Sequence, residues 1–222
     1  MKENVSEGVL ERYVRAAGGS HELAMRMFTF NFLVSGAFYP LLSLFELFLR
    51  NSVHRVLTEY FDDPEWMLNQ KDGFMKDPLL YDSGFFLRRS VILAEKRLVK
   101  DSVSINARNM LPVTAFGFWV GLFYQCNVPF LKGSVLRSLP GKPVQVDREA
   151  VVVMLMEIRD FRNLISHNMP ICLLGGRFSI NRIERVHGHI FRLLEWMDPE
   201  IRVYVEQYDG VLRRLRSLRK VA

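Results

Sequence analysis

The chain is poor in cysteine and has no convincing run of alternating strand pattern, and both absences narrow what it can be. Its two cysteines, Cys126 and Cys172, stand far apart and outside any CxxC pair. That argues against a disulfide framework and a cysteine-based zinc site, and it fits a reducing cytosol. No GxxxxGK[ST], GxGxxG or GxSxG occurs, which disfavours P-loop, Rossmann and hydrolase-elbow chemistry. Internal repeats and low-complexity stretches are also missing. The opening MKENVSEGVLERYVR mixes charge with apolar residues and holds no apolar signal core, so no secretory signal is expected and the expected compartment is the cytoplasm.

What is present is a large apolar fraction. Of 222 residues, 49% are hydrophobic and 24% charged. Area scaling gives a folded surface of about 10,000 Å² against roughly 38,000 Å² unfolded, enough for one large core without staples. The net charge of +6 and pI near 9.5 permit an anionic partner without demanding one.

Apolar residues recur at helical spacing almost throughout. A first helix is predicted over 5–16, stopped by Gly18-Gly19, and Ser20 can cap the next. That second helix is expected to reach Gly36, with Pro40 opening or kinking another that continues to Tyr60. Residues 61–84, with Asp62-Asp63-Pro64 and Asp77-Pro78, read as a connector. Further helices are predicted from Ser83 to Asp101, as one or two short pieces in 112–138, from Asp147 to Ser166, from Ser179 to Trp196 and from Pro199 onward. The expectation is a single all-α domain over 1–222 with a basic C-terminal helix at 199–220.

One stretch raises the membrane question. Residues 27–45, MFTFNFLVSGAFYPLLSLF, carry no charge and are long enough to span a bilayer. Asn31, Ser35, Gly36, Pro40 and Ser43 interrupt it, and a buried helix of a large core has the same composition. No stable membrane insertion is expected.

Chemistry concentrates in Arg162-Asn163-Leu164-Ile165-Ser166-His167, at the end of an apolar helix just before Pro170. Arg can bind a phosphoryl oxygen bidentately, and His can give or take a proton near neutrality. Asn163 and His167 share a ridge, whereas Arg162 and His167 lie about 140° apart around an ideal helix. A helix end where Arg and His offset the dipole accounts for the same residues, and spacing leaves both readings open. A second polar ridge, Glu46, Arg50 and His54, runs through an apolar helix beside Asn51 and demands partners. In the C-terminal RRLRSLRK, Arg213, Arg214 and Arg216 crown an apolar stripe of Val211, Leu215 and Leu218; this is a solvated face or a contact for an RNA backbone. His187 and His189 have no acidic companion at ligand spacing, and no metal site or cofactor is expected.

ELFLRN at 46–51, GFWVGLF at 117–123 and RNLISHNMPI at 162–171 together resemble the motifs of the Abi-like abortive-infection proteins, a branch of the HEPN superfamily. Order and spacing agree, as does Asn31 with the following LLSLFE, and the resemblance spans roughly residues 20–200. It implies a helical HEPN-type domain with several additional helices. It also implies a metal-independent endoribonuclease whose Arg-x4–6-His motif works at a homodimer interface, with a toxin-like role in anti-phage defence. On this basis Arg162, Asn163 and His167 match the catalytic motif, and Glu46, Arg50 and Asn51 match a supporting pocket. RNA is the implied partner, and a neutralising antitoxin or guide-like RNA a further one. The chain departs from the family's usual RNRIAHHEP by placing Leu164, Asn168 and Met169 where an Arg, a second His and a Glu are common. A non-catalytic RNA- or protein-binding module and a membrane-associated abortive-infection effector are the alternative readings.

Overall fold

The computed structural model describes residues 7–218. The predicted helix start at residue 5 and the basic residues Arg219 and Lys220 lie outside them. In chain order the helices begin with α1 (Glu7–Ala16), α2 (His21–Phe61), α3 (Trp66–Asn69), α4 (Phe86–Lys100), α5 (Ala107–Val113) and α6 (Phe116–Gly121). There follow α7 (Val128–Leu131), α8 (Arg148–Ser166), a hairpin of β1 (Leu173–Leu174) and β2 (Arg177–Phe178), α9 (Asn181–Met197), α10 (Pro199–Glu206) and α11 (Val211–Leu218). The protein is all-α, and the hairpin is the one sheet among the described residues.

Several predicted boundaries hold for the predicted reasons. Gly18 and Gly19 take positive φ and end α1. The Ser20 hydroxyl accepts the Leu23 N–H at 3.3 Å, and the Asp147 carboxylate accepts the Ala150 N–H at 2.7 Å, capping α2 and α8.

The largest correction is α2, which is one helix of 41 residues and not two. Pro40 removes one backbone donor, and its ring crowds the carbonyl of residue 36. That residue is Gly36, with open space where a Cβ would stand, and both positions are exposed. The released carbonyl lies on an open face with room to tilt outward, and the helix runs on. Three smaller differences follow from local capping and turn chemistry. The Asn106 side chain caps an unpredicted α5 through the Asn109 N–H. Gly175 and Gly176, at φ 56° and 76°, turn the hairpin, as positive φ at both central positions allows. Asp209 accepts the Val211 N–H at 2.9 Å, so the C-terminal helical segment restarts as α11.

The chain divides into two compact units, with divisions inside α2, α8 and the end of α9 and another just before α10. The first unit takes α1, α2 to Phe45, residues 157–195 and those from Pro199 on. Its core is a stripe of Phe30, Val34, Phe38 and Leu41 from α2, with Ile158 and Phe161 of α8 and Ile183, Val186 and Ile190 of α9. Phe38 and Phe161 meet edge-on, ring centroids 4.8 Å apart. Asn31, 6% exposed, accepts the N–H groups of Ile171 (2.7 Å) and Cys172 (3.3 Å) through Oδ1. That residue ties the middle of the uncharged stretch to the segment following α8.

The second unit takes residues 46–156 and 196–198. Leu49, Val53, Val56 and Leu57 of α2 pack in a core with Trp66, Phe118, Trp119 and Phe123. Gly121 lets α6 approach α4, since a Cβ there would fall 2.9 Å from the Phe86 ring.

Candidate functional site

The end of α8 is built by a specific turn. The His167 N–H continues the helix to the Asn163 carbonyl at 3.0 Å. Asn168 then swings to φ 53°, its N–H reaching the Ile165 carbonyl (3.1 Å) while the Met169 N–H reaches the Leu164 carbonyl (2.8 Å). These crossed bonds are a Schellman motif with Asn at the left-handed position, and they satisfy carbonyls that a helix end leaves open. Pro170 follows a helix that is already closed. His167 is the C-cap residue.

This geometry fixes what the motif presents. His167 and Asn163 are exposed, one turn apart on one ridge, whereas Arg162 is half-buried around the side of the helix. The His167 imidazole makes no side-chain hydrogen bond or ion pair with the described residues, so its nitrogens are open to a ligand.

Glu46, Arg50 and Asn51 belong to the second unit. Glu46 and Arg50 are half-buried and Asn51 is exposed. Burial pulls the Arg50 guanidinium below its ordinary range, and the Glu46 carboxylate opposes this. Arg50 Nη1 donates to the Leu111 carbonyl at 3.4 Å, and its buried Nε has no protein acceptor. The third member of the ridge, His54, accepts the Trp66 indole N–H at Nδ1 (3.0 Å), which places its own proton on Nε2 when neutral.

Of the C-terminal basic residues, Arg213 and Arg214 line an open groove of about 340 Å³ with Tyr208, Gly210 and the Phe32–Gly36 turn of α2. Phe32 is 69% exposed, so the groove pairs guanidinium groups with an open aromatic face. Arg216 is exposed on α11 and is not part of the groove.

Two acidic partners were invisible in the spacing. Each histidine of the 187/189 pair has its own carboxylate: His187 Nε2 lies 2.8 Å from Asp209 Oδ2, and His189 Nε2 lies 3.0 Å from Glu157 Oε2. Glu157 also accepts from Arg185 Nε at 2.8 Å, and that guanidinium hydrogen bond holds its carboxyl below the usual range. Burial opposes ionisation of Asp209, but bonds from His187 and the Val211 N–H outweigh it and hold that carboxyl low too. Among the described residues no group of three or more His, Cys, Asp or Glu side chains is placed to hold a metal ion. Burial pushes the Cys172 thiol up to about 12, a setting for an inert core residue.

These shifts carry a pH dependence. Burial holds His54 and His189 below the ordinary histidine value, against the pull of Glu65 and Glu157. Both are therefore neutral in the fold at a pH where the unfolded chain already binds protons. Their contribution is complete above about pH 6.5 and is lost as pH falls through the folded values. Glu157 and Asp209, depressed carboxylates, add a second loss below about pH 4. Urea midpoints should hold steady between about pH 7 and 8, fall from about 6.5 downward, and fall again near 4. A midpoint that rises between pH 7 and 5 would contradict this.

No protein-family model, curated protein or solved structure matches the chain.

Proposed function

We propose that this chain is a metal-independent endoribonuclease of the Abi-like HEPN type, acting as a homodimer in the cytoplasm with a toxin-like role in anti-phage defence. The observation that carries the reading is the exposed His167, held on a closed helix end with Asn163 one turn below it and its imidazole bonded to none of the described residues. A solvent-exposed histidine whose side chain bonds to none of the described residues, on a motif that resembles a nuclease signature, is best explained by chemistry done there.

The reaction uses the RNA's own nucleophile. His167 takes the proton of a ribose 2′-OH as the 2′ oxygen attacks the adjacent phosphorus, or returns a proton to the 5′ oxygen as the P–O5′ bond breaks. The products are a 2′,3′-cyclic phosphate and a 5′-OH, and no water is consumed. Arg162 neutralises charge growing on the non-bridging oxygens. Asn163 orients the phosphate or the imidazole. RNA is the substrate in this reading, and a neutralising antitoxin or RNA the regulator.

A second reading, an RNA-binding module that does not cut, draws on the groove in which Arg213 and Arg214 stand beside exposed Phe32 and Tyr208. Such basic and aromatic surfaces hold single strands by charge and stacking. End-labelled single-stranded RNA incubated with the protein in EDTA separates the two. Fragments ending in cyclic phosphate, with the all-deoxy strand left whole, support the nuclease. Intact RNA at stoichiometric protein, with binding retained, supports the module.

A further inference from the structure

Beside the closed end of α8 lies an open cleft of about 440 Å³. Arg12 and Arg15 of α1 border it on one side and Arg182 of α9 on another, with Leu164, Met169 and Pro170 among its apolar lining. Among the described residues no acidic side chain lines it, so three arginines border one space that no described carboxylate shares.

Arg15 sits in the last turn of α1, where a cation offsets the helix dipole, but capping of α8 does not account for the cluster. Arginines at a helix C-terminus usually cap its carbonyls. Here the carbonyls of Asn163, Leu164 and Ile165 are already taken by the His167, Met169 and Asn168 N–H groups. Nor are the arginines held in ion pairs: among the described residues no carboxylate lies within ion-pair distance of any of the three. Arg12 Nη1 donates one long, weak bond to Met169 Sδ at 4.0 Å, and the Arg182 Cζ sits 5.8 Å from the Phe161 ring centroid. A soft sulfur acceptor and an aromatic face position a guanidinium while leaving most of its N–H donors for a ligand.

We propose that this cleft is a phosphate-binding subsite that holds the backbone of an RNA strand beside His167. The assignment rests on the nuclease reading for its choice of RNA. The cleft wall includes Leu164, Met169 and Pro170, which flank His167 in sequence. A strand anchored there places a neighbouring phosphodiester near the exposed imidazole. Arg162 then serves the reacting phosphate, and the three cleft arginines serve the flanking ones, as positioning contacts read by charge and not by base.

The test is equilibrium binding of a fluorescent 2′-O-methyl oligoribonucleotide, which lacks the attacking hydroxyl and so reports binding alone. The triple variant Arg12→Ala, Arg15→Ala, Arg182→Ala should bind more weakly, and its plot of log K against log salt should flatten by about 2, from roughly 0.7 per lost phosphate contact on a single strand. Met169→Glu sets a carboxylate against Arg12 while keeping all three arginines. It should also weaken binding, whereas Met169→Gln should not. The Met169 pair decides the matter even where the triple variant fails to fold. Native affinity and salt slope in the triple variant and in Met169→Glu overturn the subsite. If these variants lose binding but native protein cuts no RNA in EDTA, the subsite stands and the nuclease reading falls. If native protein cuts RNA and Met169→Glu binds and cuts as well, the reverse holds.

Discussion

Replacing His167 with alanine should abolish RNA cleavage and leave the fold untouched. Loss of a general acid–base group costs ~10²–10⁴ in rate. The structural cost is small because His167 is exposed and its side chain has no hydrogen bond or ion pair with the described residues. The turn that closes α8 is made by backbone groups and by the left-handed Asn168, none of which needs an imidazole. Exposed substitutions of this kind stay within about 0.5 kcal/mol. Cleavage rates in EDTA and thermal melts of both chains read the two halves of the expectation. A variant that cuts RNA at the native rate removes His167 from the chemistry. A variant that melts well below the native chain shows instead that the motif is a structural helix end.

Much of this architecture was legible because the local signals are strong. Helical apolar spacing, the Gly18-Gly19 stop and the Ser20 and Asp147 caps act over a few residues, and a sequence displays them directly. Where expectation and structure part, the deciding interaction is either solvent at one residue or a partner far along the chain. Pro40 reads as a break because the room left by Gly36 on an exposed face is a three-dimensional property. Asn31 reads as an interruption of an apolar run, yet its carbonyl oxygen binds two N–H groups some 140 residues later. Leaving both buried donors unpaired would cost about 1–3 kcal/mol each.

The candidate site divides along the same line. The ridge of Asn163 and His167 and the offset of Arg162 follow from 3.6 residues per turn, and the structure keeps them. Arg12, Arg15 and Arg182 come from opposite ends of the sequence, and no motif joins them. The one local hint was a departure: Leu164 and Met169, where the resembled family often has charge, are part of the apolar lining of this cleft. The partners of His187 and His189 were hidden for a similar reason, since Asp209 and Glu157 stand 22 and 32 positions away.

Mixing two inactive variants should restore activity. On an ideal helix Arg162 and His167 point about 140° apart, and the helix does not loosen to bring them together, because the His167 N–H still bonds the Asn163 carbonyl. A pocket needing both groups is therefore best completed across a two-fold axis, with His167 from one chain and Arg162 from the other. Arg162→Ala and His167→Ala homodimers each lack one half of every pocket. In a heterodimer one pocket regains both groups and the other loses both. Random reassortment of equal amounts makes half of the dimers mixed, so the mixture should recover about a quarter of native activity, rising to about half for purified heterodimer. Light scattering fixes the stoichiometry, and cleavage in EDTA measures the recovery. An active monomer refutes the shared pocket. So does a mixed dimer that stays silent, since each chain must then supply its own Arg162 and His167, and α8 must open its last turn when RNA binds.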